Sequence, residues 1–70
     1  MKMVYATIIR NKRQVGRTYK IRKDLFQELL DDKKHYTVRN KEQLGDVIVY
    51  DILHTNDDGT KSIIIISEEI

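Results

Sequence analysis

Seventy residues with a net charge of +2 and 34% charged side chains make one domain, residues 1–70, with no room for a second core. A chain this short buries only about 60% of the surface its unfolded form exposes. Cysteine is absent, which excludes disulfides and zinc sites built on thiolates, and no apolar run approaches the roughly 20 residues of a membrane span. A thin core without covalent staples predicts stabilisation by association, and a homodimer is expected. The opening Met1-Lys2-Met3-Val4-Tyr5 lacks the apolar stretch of a signal peptide, so a cytoplasmic protein with no membrane partner is expected.

Residues 4–9 are rich in Val, Tyr, Thr and Ile with no breaker and read as a strand. Asn11-Lys12-Arg13-Gln14 reads as a polar turn, and residues 15–22 as a returning strand with Gly16 at a bulge. This hairpin carries the most uneven charge in the chain. Residues 1–23 hold eight basic side chains and no acid, whereas residues 24–70 hold five basic and eleven acidic ones. Clustered cations are what a phosphate-contacting surface needs, because each neutralised phosphate releases condensed counterions. Arg10, Lys12, Arg13, Arg17, Lys20 and Arg22 are therefore the candidate nucleic-acid contacts. The arginines present a planar fork that meets phosphate or guanine with two hydrogen bonds. A solvated face, or one turned toward the acidic remainder of its own fold, accounts for the same cluster. Tyr19 lies within it, either stacking on a base or half-buried in the strand.

Asp24 is expected to cap a short helix, with Gln27 three residues on completing a capping box. Leu25 and Leu29, and Phe26 and Leu30, give it one broad apolar face. Asp31-Asp32-Lys33-Lys34 ends the pattern, with cations expected near the helix C-terminus. Residues 35–39 alternate weakly and suggest a third strand, and residues 40–43 read as a loop. Residues 47–53 are nearly all apolar, as in a strand covered on both faces. Asp58-Gly59 marks a turn between residues 55 and 60. Residues 62–67 form the partner strand, with Lys61, Glu68 and Glu69 guarding four consecutive isoleucines. The expected fold class is α+β: a small β-rich domain in the order β-β-α-β-β-β with one short helix, dimeric.

The sequence carries no catalytic or cofactor motif. His35 and His54 stand apart from any metal-ligand spacing, and no glycine motif cradles phosphate or presents a nucleophilic serine. No enzyme, metal or cofactor is expected.

Arg13-Gln14-Val15, Ile21-Arg22-Lys23-Asp24-Leu25 opening a helix, Gly45-Asp46-Val47-Ile48-Val49 and the Asp58-Gly59 turn resemble the order of parts in AbrB/MazE-like swapped-hairpin DNA-binding domains. That resemblance implies an interlocked dimer whose first strands contact DNA through Arg10, Lys12, Arg13, Arg17 and Arg22. The chain departs from it in lacking a proline before the helix and in the extra residues ahead of Gly45. The stretch from Leu25 through Asp32-Lys33-Lys34-His35-Tyr36-Thr37-Val38-Arg39 to Gly45-Asp46 is similar to ASCH domains, PUA-like modules linked to RNA or nucleotides. There Asp32 stands where glycine is usual, and the resemblance implies Lys34 and Arg39 as ligand contacts. The leading expectation is a nucleic-acid-binding regulator, DNA before RNA. The alternative from another class is a protein-binding inhibitor or adaptor, as mobile elements encode against host proteins, using the acidic part or strand pairing.

Overall fold

A computed structural model describes residues 3–70. In chain order the elements are β1 (Val4–Arg10), β2 (Arg13–Ile21), α1 (Lys23–Asp31), β3 (Tyr36–Leu44), β4 (Val47–Thr55) and β5 (Lys61–Glu69). The five strands form one sheet in the order β2-β1-β5-β4-β3, antiparallel at every pairing. β5 therefore lies at the centre, between β1 and β4, and β2 and β3 form the two edges. No helix among the described residues is long and apolar enough to cross a membrane.

The period of two along β1, β4 and β5 sends alternate side chains to opposite faces. One face carries Val4, Ala6, Tyr50, Ile52, Ile64 and Ile66, all buried, and α1 lies on it. Phe26 is the one helical residue fully buried, and its ring meets Tyr50 edge to face with centroids 5.0 Å apart. Leu29 and Leu30 pack partly buried against the same cluster, whereas Leu25 is 49% exposed. The expected broad apolar face is thus narrower, because one short helix covers only the middle of the sheet. The start of the helix is tied down by a relay: the Tyr50 hydroxyl donates to Glu68 Oε1 at 2.9 Å, and Lys23 Nζ lies 3.9 Å from the other Glu68 oxygen.

Several local expectations need correction. The helix begins at Lys23 with Arg22 as its cap residue, and no side chain caps it. Asp24 is the second helical residue. Its Oδ1 accepts the Leu25 N–H at 3.0 Å, satisfying one of the unpaired donors of the first turn from inside the helix. The last helical turn holds no cation, since Lys33 and Lys34 fall in the turn beyond it. The expected loop at residues 40–43 is strand: β3 continues to Leu44, paired with Val47. The intervening Gly45-Asp46 is a two-residue hairpin turn, and Gly45 takes φ +63°, the conformation that a Gly-X turn of the II′ type requires at its first position. The β4–β5 turn closes on Gly59 at φ +89°, with Gly59 N–H donating to the Asn56 carbonyl at 2.9 Å.

Both edge strands are bulged. On β2 the pairing runs from Ile8↔Val15 to Ala6↔Tyr19, so Gly16, Arg17 and Thr18 stand opposite Thr7 alone, as Gly16 had suggested. On β3 the register shifts between Val38 and Asn40, leaving Arg39 as the additional residue.

Candidate nucleic-acid interface

The basic segment folds as the expected hairpin, β1–β2, with Arg10 opposite Arg13 and only Asn11-Lys12 as the loop. Both loop residues have positive φ, 50° and 64°, the signature of a type I′ turn. Asn tolerates that region and glycine usually follows it, but here lysine does. A side chain in left-handed conformation is strained by about 1–2 kcal/mol, so the hairpin tip holds a cation at a backbone disadvantage.

The six candidate contacts do not form one surface. Arg10 turns onto the helix-covered face, where its Nε donates to the buried Ser62 Oγ at 3.0 Å. It also sits beside the β4–β5 turn. The hydroxyl and amide of Thr60 hold the Asp58 carboxyl below its usual range, and the Arg10 charge adds to that. Arg22, at the far end of β2, donates from Nε to Asp24 Oδ1 at 3.0 Å and from Nη2 to the other oxygen. That guanidinium holds the Asp24 carboxyl below the usual carboxylate range. Both arginines are thus engaged by the protein itself. Lys12, Arg13, Arg17 and Lys20 are exposed and carry no salt bridge among the described residues. They run along the outer edge of the sheet for roughly 20 Å at the usual rise per strand residue, the length of the β1 stretch they face, because the bulge shortens β2. Arg17 stands in the bulge, where Thr7 and Thr18 hydroxyls meet at 2.7 Å. Tyr19 is 43% exposed on the helix-side face, one residue from Lys20.

The other pair of candidate cations is separated. Lys34 is exposed in the turn after α1. Arg39 lies in the β3 bulge, where Nε and Nη2 grip the Asp51 carboxylate at 2.8–3.1 Å. Its fork is occupied, which leaves Lys34 as the free member.

One cluster was not foreseen. His35, just after the helix, has Nδ1 2.9 Å from Asp32 Oδ2 and Nε2 2.7 Å from Asp57 Oδ1. With two carboxylates in line the imidazolium donates from both nitrogens, and those bonds raise its pKa above 6.5. The ring clamps the β4–β5 turn to the helix end. Asp32 and His35 are three apart and visible in the sequence, but Asp57 is brought in only by the turn. Both ring nitrogens are taken, and no group of three or more metal-ligating side chains occurs among the described residues. A cleft of about 370 Å³ opens between α1 and β2, walled by Tyr19, Leu25 and Leu29 over Ala6 and Ile64. Its polar rim is Glu28 and Asp32.

Comparison of the chain with protein families, with curated proteins and with solved structures gives no match.

Proposed function

We propose that this chain is a small nucleic-acid-binding regulatory module rather than an enzyme, acting in the cytoplasm as a homodimer and using the exposed edge of β2 as its contact surface. The observation that carries the reading is the row Lys12, Arg13, Arg17 and Lys20, four exposed cations with no acidic partner among the described residues, running from the hairpin tip along β2. Neutralising such a row is favourable when a phosphate backbone supplies the charge, through the counterions it releases. Lys12 supports it independently. A lysine at a left-handed turn position where glycine would relieve strain points to a demand for charge at the tip. The AbrB/MazE-like order of parts favours DNA over RNA. Arg10 spends its Nε on Ser62 and Arg22 shares its charge with Asp24, so both are secondary members of the proposed contact set.

A filter-binding or anisotropy titration against duplex DNA tests this. Binding is expected to weaken steeply with salt, with a slope of log K against log salt of roughly −3.6 for about four phosphates. Reversing Arg13 and Arg17 together to Glu is expected to abolish it while leaving the melting temperature in place. Absence of binding to mixed duplex and single-stranded pools at about 50 mM salt would overturn the reading, since electrostatic binding is strongest there. The second reading, a protein-binding inhibitor or adaptor, then takes its place. It has its own support in the geometry, because β2 and β3 are nine-residue edges with an unpaired side, open to strand addition by a partner.

A further inference from the structure

The helix covers one face of the sheet, and among the described residues nothing covers the other. That open face has an apolar centre. Ile9, Ile63 and Leu53 form one row across β1, β5 and β4, all half-buried, and Ile65 and Val49 continue the patch on β5 and β4. Five strands at about 4.8 Å spacing and some 25 Å long make roughly 600 Å² of face. Two such faces together bury about 1,200 Å², the lower end of stable protein interfaces.

We propose that a second copy of this chain covers the open face, the two sheets stacking about a two-fold axis that runs along the central strand β5. This rests on the homodimer reading above and gives it an interface. The argument is self-complementarity. The sheet has two strands on each side of β5, so a two-fold along β5 lays β1 over the partner's β4 and the edge β2 over the partner's edge β3. The row that contains Ser67 reads Lys20, Tyr5, Ser67, Val49, Glu42 from edge to edge, as the pairings Tyr5↔Lys20, Tyr5↔Ser67, Val49↔Ser67 and Glu42↔Val49 require. Every member of that row points to the open face, because the neighbours Val4, Tyr50 and Ile66 point into the core. The same rotation therefore sets Lys20 opposite the partner's Glu42, and Glu42 opposite the partner's Lys20, so in the dimer Lys20 leaves the phosphate row to Lys12, Arg13 and Arg17, with Arg10 across the hairpin from Arg13. The packed sheets cross at about 30°, an offset that two long flexible side chains absorb. The one carboxylate within the patch, Asp51, arrives already paired with Arg39, so covering it leaves no lone charge. A nucleic acid does not fit this face, whose centre offers isoleucine and leucine where phosphates need cations.

Sedimentation equilibrium on nuclease-treated protein tests the proposal with the variants K20E, E42K, the double variant K20E/E42K and an equimolar mixture of the two single variants. Each single reversal places two like-charged pairs in the dimer and is expected to raise its dissociation constant about tenfold or more. The double variant is expected to return to the wild-type value, and the mixture to form the heterodimer in preference to either homodimer. Both positions are exposed on edge strands, so folding is preserved. I65K, in the centre of the patch, is expected to yield a monomer and is read only if its circular dichroism stays native. A wild-type dimer indifferent to every charge reversal would overturn this interface and leave the homodimer reading standing. A wild-type protein that stays monomeric at high micromolar concentration would overturn both.

Discussion

β2 and β5 flank the same strand, β1, and both are nine residues long, yet they share almost nothing else. β5 buries Ser62, Ile64 and Ile66 and half-buries the residues between them. β2 is exposed at every position but Ile21. The backbone ladder is common to both, so hydrogen bonding does not explain the difference. β5 has a neighbour on each side and the helix above it, whereas β2 has one neighbour and water. A central strand is selected for apolar volume, and an edge strand is free to carry charge and a bulge. Stability therefore resides in β5, and exposed charge resides in β2.

The contrast can be broken at several points. Ile66→Ala, in a fully buried side chain, is expected to destabilise by about 2–5 kcal/mol, enough to unfold a marginal domain, as read by urea denaturation. Leu29→Ala, partly buried against the same cluster, is expected near the lower end of that range, about 2 kcal/mol. A change below about 0.5 kcal/mol there, the size of an ordinary surface substitution, would mean that the helix does not lie on the sheet as described. Lys12→Gly is expected to act in the opposite sense, raising stability by about 1 kcal/mol by relieving the left-handed lysine while weakening the DNA binding proposed for the hairpin. Gain of stability without loss of binding would detach the tip from function. The smallest effect belongs to the His35 clamp. The folded pKa of His35 is raised, so its contribution is fully present below the unfolded value near 6.5 and is lost as pH rises through the folded value. Asp32 is lowered, chiefly by its bond to the His35 ring, so its share persists above the unfolded value near 3.8 and is lost as pH falls through the folded one. The clamp thus operates between those two limits. A nuclear magnetic resonance titration should show the His35 ring and the Gly59 amide moving together above pH 6.5 in the wild type, with the Gly59 response absent in His35→Gln.

The strands of the buried centre were legible because each is a short, nearly unbroken apolar run and a turn glycine separates them: residues 47–53 and 62–67 fall within β4 and β5. The second half of β3 was not. Asn40, Lys41, Glu42 and Gln43 have no apolar period to read, because an edge strand with both faces open needs none. Their only signal was the two-residue turn that follows at Gly45-Asp46. The helix start was misplaced by its chemistry. A carboxylate satisfies first-turn N–H groups from more than one position, so Asp24 looks like a cap while standing inside the helix. Of the candidate contacts, the cluster as a whole was visible in the charge pattern, but its division was not. Arg22 meets an acid two residues away, within sequence reach. The partner of Arg10 is Ser62, which only the sheet order brings near.

The position of β5 also bears on how the chain folds. β1–β2, β3–β4 and β4–β5 are local hairpins of the kind that form in about 1–10 μs, so the β1–β2 hairpin and the β3–β4–β5 meander can each form alone. β5 joins them, and its pairings with β1 span nearly the whole sequence, from Ile9↔Ile63 to Val4↔Glu68. Closing so long a loop is slow because its entropy is lost before the contacts form. Until it closes, the β1–β2 hairpin is unattached and α1 has only part of its sheet to rest on. The rate-limiting event is then docking of the β1–β2 hairpin onto the isoleucine strand, and substitutions in β5 should slow folding where those on the outer edge of β2 merely hasten unfolding.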